Sequence, residues 1–254
     1  MLALITATRN SIATISDCLE STESIRDRLK HFFVDGGSTD GTVQFLDRYA
    51  RSMPNVNIQS QDGTGLYQAI NQGVEAAMHD EDVRYIGLLH SDDRIVTRNF
   101  QEYLAAIDEG CDDVYYSDIQ YHDSGNKVVR IWRSGRFSSL KLHTGWMPPH
   151  TSMIVSKKIY EQVGLYDPSF GTAADYEWIV RLLASENNGI HYFPKRTVSM
   201  LVGGASNASL KARLRANAMD GAVWADRSTL QSALIRVCKP VRKIGQFLVF
   251  KGPK

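Results

Sequence analysis

The chain has 254 residues, of which 43% are hydrophobic and 22% charged, a globular composition that excludes a disordered or fibrous protein. That length suits one sizeable α/β domain, or a core domain with a short appendage, and is a squeeze for two full domains. A net charge of +1 excludes the broad basic field that gathers nucleic acid, so no nucleic-acid partner is expected.

Cys18, Cys111 and Cys238 lie far apart with no C-x-x-C pair. This fits a reducing compartment, the cytoplasm by default, and neither a zinc site nor a disulfide framework. The opening "MLALITATRN" lacks a basic leader region, and no segment has the uninterrupted apolar length of a membrane span. Residues 2–8 instead read as a strand buried on both faces.

Residues 11–29 space Ile12, Ile15, Leu19, Ile25 and Leu29 as a surface helix would. "HFFVDGG" is a second strand and turn, and "TDGTVQFLDRYA" opens with residues suited to capping a helix. A third strand lies in "NVNIQSQDGTG", a third helix in "GLYQAINQGVEAAM", and a fourth strand in "VRYIGLLHSDD" ends in acids. This alternation, sustained to about residue 107, predicts a doubly wound, mostly parallel sheet flanked by helices. Ligands of such sheets bind beyond the carboxyl ends of the strands, where the clusters 35–40, 62–65 and 90–93 all fall.

After residue 110 the rhythm changes. "DDVYYSDIQYHDSGNKVVRIWR" predicts a hairpin turning around Asp123 to Asn126, followed by a Pro-Pro loop, the β-like run "TSMIVS" and a helix near 156–163. "FGTAADYEWIVRLLAS" then becomes a helix with acids in its first turn, where backbone N–H groups favour negative charge. From Arg227 to Lys254 every charged residue is Lys or Arg, interleaved with apolar residues such as Leu234, Val237 and Val241. Such a basic amphipathic tail can lie on an anionic membrane surface, or it can pack on the domain with its charges solvated.

Two clusters carry chemistry. Asp92 and Asp93 in "SDD" end an apolar strand, and adjacent carboxylates there need compensation by a cation or by donors. Mg²⁺ or Mn²⁺ bridging a diphosphate would supply it; capping the next helix is the plain alternative. Asp35 in "FFVDGGSTDGT" also ends a strand, where a carboxylate can accept from a nucleobase ring N–H while Gly36 lets a flat ligand approach. Its plain alternative is a tight turn. Neither a G-x-G-x-x-G fingerprint nor a phosphate loop is present, which argues against a dehydrogenase.

"ITATRN", "FFVDGGSTDGT", "GTGLYQAINQG", "YIGLLHSDD", "PPHTSMIVSKKIYEQVGLYDPSF", "AADYEWIVRLL" and "GGASNASL" occur in the order and spacing of family 2 glycosyltransferases. The chain resembles the bacterial surface-polysaccharide branch, over roughly residues 2–210. The resemblance implies a GT-A fold comprising a catalytic domain over 1–215, with a nucleotide-binding half (1–107) and an acceptor half (108–215), before a helical tail over 216–254. It implies transfer of a sugar from a nucleoside-diphosphate donor, UDP-linked by preference, to a lipid-linked or growing surface glycan of the O-antigen or capsule kind, with inversion.

Carried over by position, the resemblance assigns Thr6, Thr8 and Asp35 to the nucleoside pocket, Asp92 to the ribose, Asp93 to the metal and Asp175 to the catalytic base. Arg9 stands where an aromatic is common, His90 where asparagine is common, and Asp62 is one position from the usual acid. Tyr67, Trp146 and Trp178 could stack on a sugar or fill the core. His150 could reach the diphosphate or acceptor, and Glu177 points to another side of the helix as an acceptor-side candidate. A non-catalytic sugar-nucleotide-binding subunit is the alternative; it would need Asp35 and the "SDD" acids but not Asp175.

Overall fold

The computed structural model describes residues 1–53, 55–185, 188–203, 218–224 and 228–248; in the last stretch, side chains are described for residues 228 and 232–242. In chain order the first elements are β1 (Leu2–Thr8), α1 (Ile15–Thr22), β2 (Leu29–Asp35), α2 (Thr42–Ser52), β3 (Val56–Ser60), α3 (Leu66–His79) and β4 (Tyr85–Leu88). There follow β5 (Arg94–Ile95), α4 (Thr97–Glu109), β6 (Val114–His122), β7 (Val128–Trp132), α5 (Ser139–Leu142), β8 (Ile154–Ser156), α6 (Lys157–Val163), α7 (Ala174–Ala184), β9 (Ile190–Leu201) and α8 (Thr229–Leu248). The "GGASNASL" stretch from residue 204 onward lies outside the described residues, as do 225–227 and 249–254 of the tail.

β1 is apolar without alternation because both of its faces are covered. Ala3 and Ile5 join one core cluster, with Ile70, Val74 and Trp178, while Leu2 and Leu4 join another, with Ile15, Phe33 and Tyr103. α3 seats closely on the first of these faces because residue 73 is glycine: a Cβ there would lie 2.4 Å from Ile5 Cγ2. The helix expected across 11–29 is shorter, ending at Thr22 and passing into a 3₁₀ segment, Glu23–Arg28. At that point the Ser21 and Thr22 hydroxyls donate back to the carbonyls of Cys18 and Leu19, competing with the helical ladder.

Among the described residues the strands form one sheet in the order β3-β2-β1-β4-β8-β6-β9-β5, with β7 on β6. The β3-β2-β1-β4 half is parallel throughout, as the alternation predicts. Beyond β4 the sheet is mixed: β8 runs antiparallel to both β4 and β6, β7 to β6 and β5 to β9, while β6 and β9 are parallel. The cause is connectivity, since β6 reaches β7 by a hairpin at Asp123–Lys127 with no crossover helix between them.

α8 is helical and packed along one side. Ile235 and Lys239 are buried, and Lys239 Nζ lies 2.7 Å from Asp220 Oδ1 and 3.5 Å from the ring centroid of Tyr176 on α7. The Arg242 guanidinium donates to Thr144 O at 3.1 Å. Leu234, Val237 and Val241, at helical spacing, remain 45%, 64% and 59% exposed. No helix among the described residues is long and apolar enough to cross a membrane.

Candidate active site

The carboxyl ends of β1, β2 and β4 form the floor of the site. Thr8 and Asp35 are register partners, and Thr8 Oγ1 donates to Asp35 Oδ1 at 3.0 Å. The same oxygen accepts from the Ser38 hydroxyl at 2.5 Å, and Oδ2 accepts from the backbone N–H groups of Gly37 (3.0 Å) and Ser38 (2.8 Å). Asp35 is 6% exposed, and these four bonds fill the acceptor sites of a carboxylate. Asp35 thereby builds the turn in which Gly37 takes φ +81, and two of its four donors are the rotatable hydroxyls of Thr8 and Ser38.

Around this turn lies a platform that the sequence did not reveal. The Thr39 N–H donates to Asn10 Oδ1, Ser11 N–H to Thr42 Oγ1 and Ile12 N–H to Asp40 Oδ2, locking the loop after β1 to the loop after β2. Arg9 stands exposed at its rim, and Gly36 is half-buried. A Cβ at residue 36 would lie 2.9 Å from Gln61 Oε1. Thr6 does not line the site: it is fully buried, donating to Leu89 O at 2.6 Å and contacting His31 Nε2 at 2.8 Å. Asp62 is exposed in a loop tied to α3 by Gln68 and Gln72.

The two adjacent acids separate by burial. Asp92 is partly exposed, whereas Asp93 is 1% exposed, with Oδ1 accepting from the Leu201 N–H at 3.3 Å and Oδ2 without a hydrogen-bond partner. Burial, reinforced by the Asp92 charge, holds the Asp93 carboxyl well above its ordinary range. Of the two acids, Asp92 is the carboxylate that solvent reaches. The pair does fit a hard divalent cation: two oxygen donors, one with an uncompensated lone pair, leave further positions for phosphate oxygens. Among the described residues no group of three or more His, Cys, Asp or Glu side chains could hold a metal by itself.

Four further elements converge on this edge. His90, after β4, is held neutral by burial against the opposing charges of Asp92 and Asp175, so both carboxylates lie within electrostatic reach of one imidazole. Asp175 occupies the first turn of α7, where its Oδ1 accepts from the Tyr176 N–H at 2.7 Å. Tyr67, in the first turn of α3, lies within electrostatic reach of Asp175, whose charge adds to burial in raising the pKa of the phenol. His150 Nε2 lies 2.9 Å from the Tyr166 hydroxyl, and burial lowers its pKa to about 3. A separate cavity of about 200 Å³, lined by Thr22, Arg26, His31, Tyr49 and Asn55, opens at the opposite ends of β2 and β3.

Three remaining candidates belong to the scaffold. Glu177 is held by Arg181 through bonds of 2.6 and 2.9 Å, which ties it to its own helix. Trp146 is buried against Tyr116 and Phe137, with its indole N–H on Ser134 O, and Trp178 is buried with its indole N–H on Gly164 O. Tyr166 was not singled out in the sequence, yet it touches Tyr67, His150, Tyr160 and Trp178. These partners come from four separate stretches of chain, which no local pattern brings together.

Comparison with known proteins establishes the fold and the family. An uncharacterized glycosyltransferase of Mycobacterium tuberculosis is 26% identical over 197 residues, covering 71% of this chain and 68% of the relative. TarS of S. aureus, solved in complex with UDP-GlcNAc, superposes with a TM-score of 0.68 at 16% identity, covering 96% of this chain and 72% of that one. The mannosyltransferase PcManGT of Pyrobaculum calidifontis, solved with GDP-Man and Mn²⁺, gives a TM-score of 0.64 at 15% identity, covering 94% and 71%. At those identities the likeness to the two structures establishes the fold. The profile of glycosyl transferase family 2 matches residues 3–164, more than half the chain, and this protein belongs to that family.

Proposed function

We propose that this transferase moves a sugar from a nucleoside-diphosphate donor, UDP-linked by preference, to a hydroxyl of a growing or lipid-linked cell-surface glycan, with inversion. The observation that carries this reading is that Asp175, on the first turn of α7, and Asp92, beyond β4, both lie within electrostatic reach of His90. Asp175 takes the proton of the acceptor hydroxyl as its oxygen bonds to the anomeric carbon, and the bond from that carbon to the diphosphate oxygen breaks. Attack opposite the leaving group inverts the centre.

Asp92, with the unpaired Oδ2 of Asp93 behind it, would hold Mg²⁺ or Mn²⁺. When bound, such an ion neutralises charge on the departing diphosphate. Thr8, Arg9 and Gly36, around the turn that Asp35 builds, would receive the nucleoside. The UDP-GlcNAc and GDP-Man named with the two solved structures support a nucleotide-sugar donor and leave its base open. The exposed apolar stripe of α8, in a segment whose only charges are basic, supports contact with an anionic membrane surface on which such an acceptor would lie.

The test of the catalytic assignment is Asp175→Asn. Donor binding should persist while donor-dependent turnover falls by about 10²–10⁴. Turnover at the wild-type rate would remove Asp175 from the reaction and favour the non-catalytic subunit.

A further inference from the structure

The net charge of +1 is unevenly spread along the chain. Residues 124–156 hold five basic residues and no acidic one, and residues 227–254 hold seven and again none. The remainder, with 17 basic and 28 acidic residues, carries a net charge of −11. The fold brings the two acid-free stretches together. α8 packs against β7, and the Arg242 guanidinium donates to Thr144 O at 3.1 Å. Beside that bond a Cβ on Gly145, whose φ is +77, would lie 2.9 Å from Lys239 Cβ, so the loop after α5 lies directly on α8.

Lys239 is paired inward with Asp220. Lys127, Arg133 and Arg136 are exposed, and among the described residues neither they nor Lys141 and Arg242 form an ion pair with a carboxylate. Like charges gathered without counter-charges repel one another, and a partner of opposite sign relieves that repulsion. The same region carries Leu140, on α5, which at 76% is the most exposed large apolar side chain among the described residues. The outward stripe of Leu234, Val237 and Val241 lies on α8. A soluble polyanion would engage the charges and leave this apolar surface in water, whereas a bilayer of anionic lipid takes up both.

We propose that the β7–α5 stretch is a second membrane arm: Arg133, Arg136 and Leu140 dock, together with the outward stripe of α8, on a bilayer containing anionic lipid. This rests on the membrane contact proposed for α8 and adds to it a segment far from α8 in sequence. A helix at one end of the chain tethers the molecule but leaves it free to swivel; contacts on two elements fix its orientation. α5 also packs against α7, whose first turn carries Asp175. Docking through α5 therefore brings the helix of the proposed base close to the surface in which a lipid-linked acceptor lies.

The experiment is co-sedimentation of the full chain with vesicles of phosphatidylcholine alone and of phosphatidylcholine mixed with phosphatidylglycerol, for wild type, for Arg133→Glu combined with Arg136→Glu, and for Leu140→Ser. Wild type should bind the mixed vesicles, and raising the salt should weaken that binding. The double variant should lose binding about tenfold or more, and Leu140→Ser about threefold or more, although α8 is untouched in both. Undiminished binding by either variant would overturn the second arm and leave the α8 contact standing, whereas no vesicle binding by wild type would overturn both. Retention of wild type on heparin without vesicle binding would assign the surface to a soluble polyanion and overturn the proposal as well. Hydrogen exchange of wild type on the mixed vesicles needs no variant: protection should appear in residues 133–143 as well as in α8, and protection confined to α8 contradicts the proposal. Asp175→Asn should bind vesicles as wild type does, so the catalytic reading and the docking fail separately.

Discussion

His31 and Asp93 each keep one buried polar atom without a hydrogen-bond partner, and they act on acid stability in opposite directions. The Thr6 hydroxyl donates to Leu89 O, so it can only accept from His31, which places the imidazole proton on Nε2 and leaves Nδ1 bare. A second proton on Nδ1 would sit buried without an acceptor, and burial lowers the His31 pKa to about 3 from 6.5. In the window between those values the unfolded state binds a proton that the native state refuses, so native stability falls as pH drops below 6.5. His150, also at about 3, adds a contribution of the same sign. The expected slope is about 1.4 kcal/mol per pH unit for each histidine, read from urea unfolding at pH 7, 6 and 5. Asp93 is raised above 3.8, so its protonation favours the native state and flattens the slope. Asp93→Asn should therefore steepen the loss. A flat profile in Asp93→Asn would contradict the neutral native state of both histidines. None of this was legible in the sequence, where His31 is a polar residue in an apolar run, its partner Thr6 is 25 positions away in β1, and Thr6's own acceptor Leu89 O lies beyond β4.

At the scale of elements, helix spacing carried signals that were present but unused. Glu177 and Arg181 are four apart on α7, the spacing of a helical ion pair. The Arg181 guanidinium also donates to Val163 O, and to Leu165 O at 2.7 Å, so the pair clamps the loop that leads to Tyr166. Reading Glu177 by its distance from Asp175 alone missed this partner. The reverse holds for α8, where the alternation of basic and apolar residues gave the amphipathic helix directly and the structure sorts its faces. Lys239 and Ile235 turn inward, and Leu234, Val237 and Val241 outward. The combined substitution of these three by serine should leave folding intact and weaken co-sedimentation with vesicles containing anionic lipid roughly tenfold or more. Equal binding by wild type and variant would show that this face is not the membrane contact.

Across the whole molecule, legibility follows topology. The parallel half was readable because β1, β2 and β4 are largely buried and end in polar residues, so the runs at 2–8, 29–35 and 85–88 announced both the sheet and the edge that carries the site. The mixed half was not, because β8 is three residues long and its place between β4 and β6 is set by pairing with distant segments. For the same reason Asp175 reaches the site from beyond the stretch that the family profile matches. The central claim is that this edge binds a nucleotide through a divalent ion held at Asp92. Its most direct test is calorimetric titration of UDP and GDP, with and without Mn²⁺, into wild type and Asp92→Asn. The account predicts binding of one nucleotide that strengthens with Mn²⁺ in wild type and loses that dependence in the variant. Binding that ignores Mn²⁺, or that survives unchanged in Asp92→Asn, would contradict it.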